Sequence, residues 1–149
     1  MRADVKPGYY RDDAAHKRWR NFQHTMARLT SLRLVYCAPW NALSDLVRLE
    51  ISQSKKDNLE YDIVAAAQWV VWPNECRYVY QECLKKQVTT FYWKPWSVQS
   101  WTQWKEIFEG IGEKAVYDDE TRGVARKAVR SMKEVEEEIG EEGSGNETE

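Results

Sequence analysis

Between Ile63 and Trp72 every position except Gln68 is apolar. A helix written this way has no polar face to turn to water. It is expected to be buried on most sides, with other helices packed around it. Asp57 followed by Glu60 has the spacing of a capping box and marks its start. Pro73 falls inside the same helical pattern, where it removes a backbone donor and crowds the preceding turn. A kink or short break is therefore expected at 72–74, with helix resuming through Tyr78, Val79, Cys83 and Leu84.

The flanking segments alternate with helical period. Ala15, Trp19, Phe22, Met26 and Leu29 form an apolar stripe spaced by fours and threes, which predicts an amphipathic helix. It is expected to start at Asp12 or Asp13, either of which can cap it, and to run to about Leu34. Pro39 suits the first turn of a second helix, carrying Trp40, Leu43, Leu46 and Val47 and ending near Gln53. Residues 87–96 (QVTTFYWKPW) contain a run with strand propensity. With a single obvious partner run at 32–36 a two-stranded sheet would be marginal, so these residues are read as a loop. Ser97 can cap a helix bearing Trp101, Trp104, Lys105 and Phe108, with Gly110 and Gly112 expected to end it. Asp118 or Asp119 can cap the last helix. Its stripe is Val124, Ala128, Met132, Val135 and Ile139, widened by Ala125 and Val129, and Gly140 is expected to stop it.

The pattern predicts an all-α, bundle-like single domain of five or six helices over residues 11–140. A flexible leader (1–10) precedes it, and an acidic, disordered tail (141–149) follows. A chain of 149 residues is long enough for one stable core.

Composition adds a lopsided charge to this picture. Residues 1–36 hold eight Lys or Arg against three acids, and residues 106–149 hold six against fourteen, although the net charge is only −2. Basic front and acidic back can attract each other within or between molecules. Cys76 and Cys83 lie seven apart on one helical pattern, roughly 10 Å along its axis, beyond the reach of a disulfide. Three cysteines without CxxC spacing point to reduced, packed thiols and an intracellular home, cytoplasmic or nuclear. The N-terminus lacks the apolar region of a secretory signal, and no apolar run approaches the ~18 residues of a membrane span.

The segments AAAQWVVW (65–72), WSVQSWTQWKEIF (96–108) and DETRGVARKAVRSMKEVE (119–136) resemble a group of uncharacterised fungal helical proteins. That group forms a domain family of unknown function. It pairs an Ala-rich helix ending in Trp with a W-x-x-W-K-x-x-F helix and a final A-x-x-M-x-x-x-E helix. The likeness covers about half of the chain and departs at Pro73, where a helix-compatible residue is expected. It implies an all-helical fold and supplies no activity, cofactor or catalytic residue, since these motifs are packing patterns.

Three W-x-x-W pairs concentrate the aromatic chemistry: Trp69/Trp72, Trp93/Trp96 and Trp101/Trp104. The first and third are read as anchors where helices cross. Trp93 and Trp96 flank Lys94-Pro95 in the expected loop, so Trp93, Lys94 and Trp96 form the candidate binding surface. Lys17, Arg18, Arg20, Arg28 and Arg33 give the first helix a basic face. Such a face is usually solvated, and with Trp19 and Phe22 phased into the core, nucleic acid ranks below protein as a partner. His16 and His24 are the only histidines, about 12 Å apart on a helix, too far to share a metal. Asp12 and Asp13 near His16 are read as helix caps beside a surface histidine rather than as ligands. No Gly-rich phosphate loop, nucleophile elbow or zinc-ligand spacing occurs. The expected role is a non-catalytic protein-interaction or scaffold module, with no cofactor, metal or catalytic residue assigned. The alternative is a carrier of a small or lipid-like ligand in a Trp-lined cavity between helices.

Overall fold

A computed structural model describes residues 13–35, 42–52, 56–85 and 96–144. These form six helices: α1 (Asp13–Ser31), α2 (Ala42–Ser52), α3 (Lys56–Ala67), α4 (Pro73–Leu84), α5 (Val98–Glu113) and α6 (Asp119–Ser144). There is no strand among the described residues. The loop expected at 87–96 falls outside them up to residue 95, as do the leader and residues 145–149 of the tail.

The apolar run is buried as its composition requires, but it is not one helix. Ile63, Ala65, Ala66, Ala67, Trp69, Val70 and Val71 are all buried. Helix α3 nevertheless ends at Ala67, and the N–H groups of Gln68, Trp69 and Val70 turn to carbonyls three residues back, the tightened geometry of a helix end. Trp72 is extended (φ −98°, ψ 130°), as sterics demand of a residue before proline. Pro73 then opens α4 at a position where no amide proton is needed. The proline starts a helix rather than kinking one.

α6 runs along α5 and also packs on α3 and α4, while α2 packs on α3 and α5, and α1 on α3 and α4. Its seam of Ala125, Ala128, Met132 and Val135 faces Trp101, Trp104, Phe108 and Ile111 of α5 within one core. The Glu136 carboxylate ties the two helices, accepting from Trp101 Nε1 and from Lys105 Nζ at 2.6 Å each. Two helix ends differ from expectation. Gly110 and Gly112 lie inside α5, which continues to Glu113, and Gly140 lies inside α6, which reaches Ser144. Glycine weakens a helix interior without forbidding it, and burial of Ile111 and Gly112 carries α5 past its two glycines.

The first helix buries a different face from the one its apolar stripe predicts. His16, Gln23, Ala27 and Thr30 are its buried residues, whereas Phe22 is 52% exposed and Trp19 and Met26 are only partly covered. At 100° per residue the buried face is turned by roughly a quarter of a revolution from the stripe. The polar side chains can go inward because they are paired. Gln23 Oε1 accepts from Trp69 Nε1 and from the Ala42 N–H that opens α2, and Thr30 Oγ1 donates to Met26 O at 2.7 Å.

Candidate functional site

Turning α1 in this way sends Asp13, Lys17, Arg20 and His24, spaced by threes and fours, along one edge of the helix. That edge faces α3 and the first two turns of α6. Two adjoining clefts result, of about 400 Å³ and about 280 Å³, sharing Arg20, Val64 and Glu120. Together they form one groove running along α1.

The end nearest the start of α1 is acidic and tightly organised. Tyr61 of α3 stacks on His16 with ring centroids 3.5 Å apart and planes within 3°. Its hydroxyl donates to Asp13 Oδ1 at 3.0 Å. Glu60 is not the closing half of a capping box, since α3 already begins at Lys56. Its Oε1 accepts the backbone N–H of Asp118 at 3.2 Å, joining α3 to the entrance of α6. Asp118 in turn caps α6 by accepting the Thr121 N–H at 2.7 Å. The Thr121 hydrogen bonds hold the Asp118 carboxyl below the usual carboxylate range, so it stays ionised.

The other end is built around Trp72. Its indole stacks with His24 (4.7 Å, 14°) and has the Lys127 ammonium 4.8 Å from the ring centroid. Its N–H donates to Gln68 Oε1 at 3.2 Å, and Gln68 Nε2 donates to Val64 O. The indole is thus fixed in place while 36% exposed. The sequence reading made Trp72 a core anchor. It lies at the surface because the chain turns at 68–72, which carries the last residue of the apolar run out of the helix that would have buried it. Between the two ends, Arg20 Nη1 reaches across to Glu120 Oε1 at 3.8 Å.

Trp93 and Lys94 of the candidate surface lie outside the described residues. Trp96 is 3% exposed. It meets Trp69 and Tyr78 edge-on and donates its N–H to Ser44 Oγ at 3.2 Å. A buried indole with its one polar atom paired is a core anchor, so Trp96 offers no exposed surface. Of the basic face, Lys17 and Arg20 line the groove, while Arg18, Arg28 and Arg33 are exposed outside it. His16, expected at the surface, is buried against Tyr61. Trp69, Trp96, Trp101 and Trp104 all belong to the packed core. Cys76 and Cys83 are buried and form no disulfide, and Cys37 lies outside the described residues. Burial pushes the Cys76 thiol up to about 12, which removes it as a nucleophile near neutral pH. Among the described residues, no cluster of His, Cys, Asp or Glu is placed to hold a metal, and no helix is long and apolar enough to cross a membrane.

The sequence reading missed Glu60, Tyr61, Trp72, Glu120 and Lys127 as groove residues. The available signal was the four-residue spacing of His16, Arg20 and His24, which places the chain's two histidines and one arginine on one helix edge. No curated protein and no solved structure matches this chain. Residues 2–108 match the family described as "protein of unknown function (DUF3632)". Two of the three segments that carry the likeness to uncharacterised helical proteins, 65–72 and 96–108, fall inside the match, and the third lies beyond it. The chain belongs to this family.

Proposed function

We infer that this protein is a non-catalytic protein-interaction module, and that a partner docks in the groove between α1, α3 and α6. The observation that carries this reading is the fixed, partly exposed Trp72, held by His24, Lys127 and Gln68 beside Arg20. Trp and Arg are the residues most enriched where binding energy concentrates. An aromatic side chain locked before binding loses little rotamer freedom when a partner arrives. The carrier alternative draws less support, because four of the indoles that would line a cavity are packed against one another and their neighbours in the core. Buried thiols at Cys76 and Cys83, neither of them in a disulfide, support an intracellular setting, cytoplasmic or nuclear. The Trp- and Ala-rich motifs support a place among the fungal helical proteins they resemble.

The test is a tagged pull-down from the native host with nuclease present, followed by binding of the purified partner to wild type, Trp72→Ala and Arg20→Ala. A stoichiometric protein partner whose affinity falls at least about tenfold in both variants is expected. A partner that binds both variants as tightly as wild type would move the interface elsewhere. Retention that disappears with nuclease would replace protein by nucleic acid.

A further inference from the structure

The groove has opposite charges at its two ends. Asp13, Glu60 and Asp118 gather at one, outnumbering Lys17 there, with Asp118 held ionised. Arg20 and Lys127 gather at the other, around the indole of Trp72 with the His24 ring stacked on it. Val64, Val71 and Val124 give the second end an apolar floor. From Asp13 to His24 the groove follows eleven residues of α1, about 16 Å of helix axis. An extended peptide covers that length in about five residues.

Glu120 is the one acid at the cationic end. It sits 3.8 Å from Arg20, and its side chain is 71% exposed. An exposed pair at that separation contributes almost nothing to stability, so an incoming carboxylate displaces Glu120 from Arg20 at little cost. The pair reads as a placeholder in an anion seat.

We propose that the groove takes an extended segment of about five residues with a carboxylate at one end, seated on Arg20 and Lys127 beside Trp72, and a cation at the other, seated among Asp13, Glu60 and Asp118. This rests on the interaction-module reading and specifies the partner's chemistry.

The probe is the blocked peptide Lys-Ala-Leu-Ala-Glu and its counterpart ending in Gln. Each is titrated against the full chain while the indole N–H resonance of Trp72 is followed, assigned by its absence in Trp72→Phe. The Glu peptide is expected to shift that resonance with roughly millimolar affinity, and the Gln peptide to bind about tenfold more weakly, the worth of one charge-assisted hydrogen bond. Arg20→Gln should abolish the difference, and Glu120→Gln should tighten the Glu peptide several-fold. Both side chains are at the surface, and circular dichroism checks that each variant is folded. Equal binding of the two peptides, or a preference that survives Arg20→Gln, overturns the proposal. Inorganic phosphate binding as tightly as the Glu peptide also overturns it, in favour of a free anion. If the natural partner is lost on Trp72→Ala while the peptides are not distinguished, the interaction reading stands and this inference fails.

Discussion

The side-chain oxygen of Gln23 accepts the indole N–H of Trp69 at 2.8 Å, deep in the core, and takes the Ala42 N–H at 3.1 Å as well. One amide oxygen therefore satisfies a buried side chain and the first orphan donor of α2. It also fixes the rotation of α1, and with it which residues face the groove. Gln23→Leu keeps the volume and removes the acceptor, leaving two buried N–H groups unpaired. The expected loss is about 2–4 kcal/mol in urea unfolding. A loss below about 1 kcal/mol would mean that α1 packs as well in another rotation.

Asp62 of α3 carries the reverse kind of cost. Burial, then the negative charge of Asp45, push its carboxyl up to about 6 from 3.8. The fold prefers the neutral acid, so this group's contribution to stability is complete below about pH 4 and is lost as pH rises through about 6. Asp62→Asn is neutral at every pH. It should be more stable than wild type by about 1–2 kcal/mol near neutral pH, after allowance for solvent screening, and match it near pH 4. Parallel urea titrations at the two pH values read this directly. A gain of the same size at both would place its origin outside the titration of Asp62.

Gly110 and Gly112 offer a paired test of where α5 ends. Both are helical. A Cβ at Gly110 meets nothing within 4 Å, whereas one at Gly112 comes to 3.0 Å from Cγ of Arg126. Gly110→Ala should raise stability by about 0.5–1 kcal/mol. Gly112→Ala should gain less, because the Arg126 side chain must move aside. A clear loss of thermal stability in Gly110→Ala would mean that the helix stops at this residue after all.

Arg33 is the one described non-glycine residue with positive φ, at 61°. It closes α1 in a Schellman arrangement, with its own N–H on Thr30 O and the Leu34 N–H on Leu29 O. Glycine adopts this backbone without the penalty an L side chain meets. Arg33→Gly should therefore stabilise the protein by about 1 kcal/mol, visible as a higher melting temperature. A lower one would show that the exposed guanidinium makes a contact worth more than the strain.

Some boundaries that rest on local chemistry were legible in the sequence, although the Asp57–Glu60 capping box and the stops at Gly110, Gly112 and Gly140 were not among them. Ser97 caps α5 by accepting the Ser100 N–H at 3.0 Å, Asp118 caps α6, and Pro73 opens α4, each for a reason contained in a few neighbouring residues. The seam of α6 was legible too, because Ala125, Ala128, Met132 and Val135 are apolar and in phase. The face of α1 was not. Its rotation depends on Gln23 meeting Trp69, forty-six positions away, and the stripe of Trp19, Phe22 and Met26 competes with that pairing on hydrophobicity alone. The groove was hidden for a related reason. Its walls come from three separated helices, and Trp72 joins it only because the apolar run breaks before Pro73.

α6 uses different residues for holding the core and for lining the groove. Ala125, Ala128, Met132 and Val135 are buried in the core, while Glu120, Val124 and Lys127 face the groove. Glu120 and Lys127 are exposed and out of phase with that seam, so substitutions there leave it untouched, whereas Val124 also packs against the core. α6 also lies wholly beyond the 2–108 span that matches the family. Two proteins with that span in common can thus differ in the charge of the groove by drift at Glu120 and Lys127, two positions of a single helix, with the core seam of α6 unchanged.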